Sequence, residues 1–167
     1  MKKNLLIIVL AVLMVMATAC GSTDREVNVN IPLTDEEAGI LEAIGSDLVV
    51  IEEKDFAESV TEMIYHTSSY VGKVVQLEGC FSKNFAGTSK SYVYRTLKDG
   101  DVETICALPL NYLDKDIPDG AWIRVAAIVN SGDVNGGEGT VLEVVAIEAL
   151  ETRGQQTLEW SGSAHNH

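Results

Sequence analysis

The chain has 167 residues, 46% of them apolar, and a formal net charge of −13. That is one domain's worth of chain, with enough apolar side chains to bury a core. So acidic a protein is repelled by nucleic acid and by anionic lipid surfaces, which argues against either as a charge-driven partner.

The N-terminus begins with a short basic segment, Met1-Lys2-Lys3-Asn4, followed by an apolar run from Leu5 to Met16. The run is too short to span a bilayer and suits the apolar region of an export signal. Small residues follow, Ala17-Thr18-Ala19-Cys20. This stretch resembles the lipobox of bacterial lipoproteins, with Ala17 where that family prefers leucine. The resemblance implies cleavage before Cys20 and lipid attachment there, which places the protein on the extracytoplasmic face of the cell membrane. The alternative is an ordinary secretory signal cut after Ala19. Loss of residues 1–19 leaves 167 − 19 = 148 residues, and loss of Lys2 and Lys3 leaves 12 − 2 = 10 basic residues against 25 acidic, a net of −15.

Residues 20–33 are polar and read as a tether. One domain is expected over 34–160, with a disordered tail at 161–167. Thr34-Asp35-Glu36-Glu37 has the form of a capping box, and Ala38, Ile40, Leu41 and Ile44 then make one apolar stripe that Gly45 ends. Leu48-Val49-Val50-Ile51 is a brief strand candidate. Asp55 and Glu58 repeat the capping pattern ahead of Phe56, Val60, Met63 and Ile64 on one helical face. A helix placed there, ending near His66, can plug one end of a barrel.

Five strands are expected next. The first is Tyr70 to Phe81, where Val75, Leu77 and Phe81 alternate with Gln76, Glu78 and Cys80, and Gly79 allows a bend or bulge. The second, Ser91 to Leu97, turns through Asp99-Gly100 into the third, Val102 to Leu108, stopped by Pro109. After a connector and the turn Pro118-Asp119-Gly120 comes the fourth, Ala121 to Val129. Asn130 to Thr140 reads as a Gly-rich acidic loop and Val141 to Leu150 as the fifth strand, with Leu158 and Trp160 docking back from the tail. The fold expected is mainly β with flanking helices: a five-stranded OB-fold-like barrel preceded by a capped helix. Another small antiparallel barrel or an open α+β sheet is the alternative.

Phe56, Tyr70-Val71-Gly72-Lys73-Val74, Gly79 and Asp119-Gly120-Ala121-Trp122-Ile123-Arg124-Val125 form a series over roughly residues 47–150. It resembles the extracytoplasmic C-terminal domain of an uncharacterised membrane-protein family of permease-accessory type. More loosely, it is similar to the OB-type domains called tRNA-anticodon-binding-like, many of them in lipoproteins. The resemblance implies an OB barrel and an accessory role beside an envelope or transport protein. That family has a Cys-Cys pair in its third strand; here Cys106 is followed by Ala107, so no redox or metal role carries over.

Lys83, Lys90, Tyr92, Tyr94 and Arg95 form the one basic and aromatic cluster of the barrel region, on the first loop and second strand, where OB-folds bind ligands. Tyr92 and Tyr94 share a face, while Arg95 points to the other. The plainer reading is a solvated sheet face covered by tyrosines. Cys80 and Cys106 either bridge across one end of the barrel, closing a loop worth roughly 3 kcal/mol, or are two separate buried thiols. His66 suits a helix C-terminus, and His165 and His167 lie in the tail. Asp133-Val134-Asn135-Gly136-Gly137-Glu138 lacks the full order of a calcium loop. No metal site, cofactor or catalytic constellation can be assembled. The function expected is a lipid-anchored binding or interaction module, not an enzyme, with a membrane contact through Cys20 and an envelope protein as partner. A small-ligand or cation-binding lipoprotein using the acidic loop is the alternative.

Overall fold

Period-2 alternation builds the barrel. In the computed structural model, which describes residues 27–111 and 115–160, Val75, Leu77 and Phe81 are buried in one core with Val93, Leu97, Cys106, Leu108, Ile123, Val125, Ala127 and Val129. The elements in chain order are helix α1 (Asp35–Ile44), strand β1 (Leu48–Val50), helix α2 (Phe56–Tyr65), then β2 (Val74–Ser82), β3 (Ser91–Asp99), β4 (Val102–Asn111), β5 (Trp122–Val134), β6 (Gly137–Ala149) and β7 (Thr157–Glu159).

β2 pairs with β5, β5 with β6, β6 with β4, β4 with β3, and β3 again with β2, which closes a five-stranded barrel. Within that ring β4 and β6 are parallel and the other pairs antiparallel. This is the expected OB-fold-like barrel. β1 and β7 extend it as parallel additions to β2 and β3. The expected signal segment 1–19, the expected lipid-bearing Cys20 and the expected tail 161–167 lie outside the described residues.

Gly79 is not a bulge. β2 runs through it in unbroken register with β5, from Val74↔Ile128 to Cys80↔Trp122. The residue is small because β3 comes close. A Cβ at Gly79 would lie 2.8 Å from Val93 Cγ2 and 2.9 Å from the Tyr94 carbonyl oxygen. There β2 acquires its second partner, Cys80↔Tyr94, so a missing side chain permits ring closure.

α2 closes the barrel end. Phe56, Val60 and Met63, one helical face, are buried in the core. Thr140 Oγ1 donates to the Met63 carbonyl at 2.9 Å and ties the last turn to β6. Asp55 does not cap this helix as expected. A 3₁₀ turn over Glu53–Asp55 leaves Asp55 already in helical backbone (φ −100°, ψ −3°), whereas a cap needs an extended one.

α1 has its capping box: the Glu37 N–H donates to Thr34 Oγ1 at 3.2 Å, and the Thr34 N–H to Glu37 Oε2 at 2.7 Å. The same carboxylate docks the helix. Lys115 Nζ donates to Glu37 Oε2, to the Ile147 carbonyl (both 2.6 Å) and to the Pro32 carbonyl (3.1 Å), and the Ile147 N–H donates to Glu37 Oε1. Burial raises the Glu37 pKa, but the bonds from Lys115, Thr34 and Ile147 outweigh it and hold it below its ordinary value.

Several expected boundaries move. The first barrel strand starts at Val74, because Thr67–Ser69 is a 3₁₀ turn and residues 70–72 stay in turns. β4 passes through Pro109, where β3 is its one strand partner because β6 joins only from Leu110 onward, and proline is tolerated at such an edge position. Residues 130–140 are mostly not a loop. β5 and β6 run on as a hairpin to Val134↔Gly137, closed by Asn135 (φ 56°) and Gly136 (φ 86°), the Asn-Gly pair that two-residue turns favour. Residues 27–33 of the expected tether lie on the barrel, with Val27 bridging Ala121 and Ile31 bridging Ala149. Leu158 and Trp160 dock back on the barrel as expected, and residues 157–159 do so as a strand, β7, that was not foreseen.

Candidate functional site

The structure divides the expected basic and aromatic cluster between two faces. Tyr92 and Tyr94 lie on the outside of β3, while Val93 and Leu97 enter the core. Residues 83–90 fold back over them, and the Phe85 ring comes to rest 5.1 Å from Tyr92 and 5.5 Å from Tyr94 between ring centroids, tilted about 40° to each. The turn that delivers Phe85 puts Ala86 at φ 51°, ψ 31°, a left-handed conformation that costs a non-glycine residue about 1–2 kcal/mol. Tyr92 is 3% exposed. Its hydroxyl is the one buried side-chain polar atom, among the described residues, without a hydrogen-bond partner.

Both lysines hold this loop. Lys83 Nζ pairs with Asp116 at 2.9 Å, and the Lys83 N–H donates to Asp119 Oδ1 at 2.7 Å. Lys90 Nζ reaches the tip of the β5–β6 hairpin, where it donates to the Asp133 carbonyl and lies 4.0 Å from its carboxylate. Asp133 also accepts the Gly136 N–H at 3.1 Å, and Glu138 accepts from Ser131 Oγ at 2.8 Å. The acidic hairpin therefore uses its carboxylates internally. Among the described residues no three His, Cys, Asp or Glu side chains are grouped to hold a metal ion.

Arg95 lies on the face opposite Tyr92 and Tyr94, as alternation expects, but it is buried there and does not join the ligand-binding cluster in which the sequence groups it. It points inward between β2 and β3 where their pairing ends, and is 1% exposed. Its guanidinium carbon is 4.8 Å from the ring centroids of both Phe56 and Trp122. Nε donates to the Glu78 carbonyl at 2.8 Å, and Nη1 to Glu53 Oε2 and the Gln155 carbonyl at 3.1 Å each. Burial lowers its pKa while Glu53 and Glu78 raise it, and burial prevails. Trp122 is the hub: Arg153 sits 5.5 Å from its ring, and its Nε1 donates to Glu78 Oε2 at 3.3 Å. Arg124 holds Glu78 through Nε and Nη2 (2.9 and 2.7 Å) and Glu148 through Nη1 (2.8 Å). Beside this network lies a cleft of about 410 Å³ lined by Asn30, Glu78, Arg124, Leu150, Arg153 and Gly154. Its Arg124 is already matched to two carboxylates.

Of the two readings left open for Cys80 and Cys106, the structure has two separate buried thiols and no disulfide between them. Cys106 lies in the core, where burial pushes its thiol up to about 11. Cys80 lies outside that core, on the outward side of β2, with Arg153 Nη2 3.9 Å from its sulfur. His66 is exposed just beyond α2. No helix of the described residues is long and apolar enough to cross a membrane. Phe85 and the Glu78–Trp122–Arg124 network were missed in the sequence. The signal for Phe85 was a lone aromatic inside a polar loop, next to two tyrosines in alternation.

Compared with known proteins, the chain matches no family model and no curated relative.

Proposed function

We propose that the chain is an exported binding module, anchored by lipid on Cys20 at the extracytoplasmic face of the cell membrane, that acts by binding and not by chemistry. Its binding surface is the outer face of β3 with the folded loop 83–90. The observation that carries this reading is the aromatic patch of Phe85, Tyr92 and Tyr94 on the outside of the barrel, flanked by Lys83 and Lys90 in an otherwise acidic chain. Partly exposed rings, here Phe85 and Tyr94 over the buried Tyr92, beside a charged rim are what a recognition surface uses. The partner on this reading is another envelope protein, in keeping with the resemblance to permease-accessory domains. Crosslinking in cells that make the full chain, followed by enrichment, tests it. Capture of an envelope protein by the native chain and its loss in Tyr94→Ala supports the surface; equal capture by both refutes it.

A small ligand is the second reading, favoured by the buried, unpartnered hydroxyl of Tyr92, whose ring Phe85 contacts. Buried polar groups are nearly always satisfied, so an exception on an outer face suits a donor waiting for an acceptor.

A further inference from the structure

We propose that Phe85 is an internal occupant of a site for a flat aromatic ring carrying a hydrogen-bond acceptor, and that loop 83–90 is the latch that holds it there. The inference rests on reading the outer face of β3 as the binding surface. It names what that surface takes and what competes for it. Three features meet at one place. The floor is aromatic: Tyr92 and Tyr94 stand two residues apart on one face, and a single ring covers both at 5.1 and 5.5 Å. Flat groups stack on such a floor, and Phe85 is already one. The second feature is chemical. Phenylalanine has no acceptor, so the occupant leaves the Tyr92 hydroxyl, 3% exposed as a residue, without a partner. A ring of the same shape with an acceptor would satisfy it. The third is conformational. Phe85 is delivered by a turn whose next residue, Ala86, is left-handed at φ 51°. The closed loop is therefore held against a local backbone preference that opening relieves.

The ends of the loop stay fixed while its middle moves. Lys83 is held to Asp116 and Asp119, and Lys90 to Asp133. The turn between them is closed by short-range bonds, Gly87 N–H to Asn84 at 3.2 Å and Thr88 Oγ1 to Phe85 at 2.9 Å. Withdrawal of Phe85 costs those local bonds and leaves the barrel ladders intact. The apparent affinity for ligand is then scaled by the fraction of molecules with the loop open.

The test uses the purified full chain and benzamide, a flat neutral ring with a carbonyl acceptor, titrated with binding read by saturation-transfer NMR. Phe85→Ala removes the competitor and should tighten binding by roughly tenfold. Ala86→Gly removes the backbone penalty of the closed loop. It should weaken benzamide binding while raising the melting temperature by about 2–4 °C, so this arm does not depend on a destabilised variant. Tyr92→Phe in the Phe85→Ala background should erase the gain, because the donor is gone. If Phe85→Ala and Ala86→Gly both bind benzamide as the native chain does, the latch is refuted. Tyr94→Ala then separates the two failures. Weaker binding in that variant leaves the surface standing without its latch, and unchanged binding removes the surface as well.

Discussion

The guanidinium of Arg95 lies 4.8 Å from the centroid of the Trp122 ring, and both side chains are almost fully buried. A charge is stable there because its surroundings supply what water would. Two aromatic faces, two backbone carbonyls and the Glu53 carboxylate surround it. Arg95→Ala should cost about 3 kcal/mol, from lost packing and from the bonds withdrawn from the Glu78 and Gln155 carbonyls. Arg95→Lys should recover little of it, because an ammonium lacks the planar fork that serves both rings and both carbonyls. Urea unfolding of the two variants checks this; native stability in Arg95→Lys would mean that charge alone matters at this position.

Glu37 gives a pH dependence with a definite sign. Its folded pKa lies below the ordinary value of 4.5, so its contribution is present above that pH and is lost as pH falls through the folded value. Glu37→Gln should destabilise the chain by about 2–3 kcal/mol at neutral pH, since it leaves a largely buried Lys115 without its counter-charge. The gap between native chain and variant should narrow below pH 4.5. Denaturant midpoints at pH 7 and at acid pH measure it, and a constant gap contradicts the assignment.

The thiols should behave as buried, unbridged groups. Cys106, with its pKa pushed up to about 11 by burial, is a poor nucleophile. Iodoacetamide near pH 8 should leave it unmodified in the native chain and label it after denaturation. Denatured, unreduced protein should show Cys80 and Cys106 both titrating as thiols. A shortfall would mean that they had bridged after rearrangement of β2 or β4.

Leu77 and Glu78 test the register of β2. Leu77→Asp puts a carboxylate in the core without a partner and should unfold the domain, at several kcal/mol against a total of about 5–15. Strict alternation makes Glu78→Lys silent. The structure makes it costly by about 1–2 kcal/mol, because it breaks the bonds from Trp122 and Arg124 and sets two cations side by side. Calorimetry on both variants distinguishes the two expectations.

These residues also show what the sequence could reveal. Alternation correctly placed Val75, Leu77 and Phe81 inside, and the Thr34 capping box needed only local chemistry. Alternation also set Arg95 on the face opposite Tyr92 and Tyr94, but its charge argued for water, and its aromatic neighbours Phe56 and Trp122 are 39 and 27 positions away in the chain (95 − 56 and 122 − 95). The folding of Phe85 onto two tyrosines depends on the left-handed Ala86, which no residue preference announces. The β5–β6 hairpin was hidden because glycines and carboxylates read as loop, although Asn135-Gly136 marked its turn.

The last strand has a consequence for how the protein folds. β7 joins β3 through Thr96↔Thr157, positions 157 − 96 = 61 apart, and residues just before it supply the Gln155 carbonyl to Arg95. Until that late segment docks, the guanidinium at the mouth of the barrel has lost water without gaining its full set of acceptors. A barrel assembled from β2 to β6 alone is therefore a poor resting point. Closure and docking are expected to occur in one cooperative transition, slowed by the long loops it must close. The charge buried beside Trp122 thus makes the end of the chain a condition for the stability of its middle.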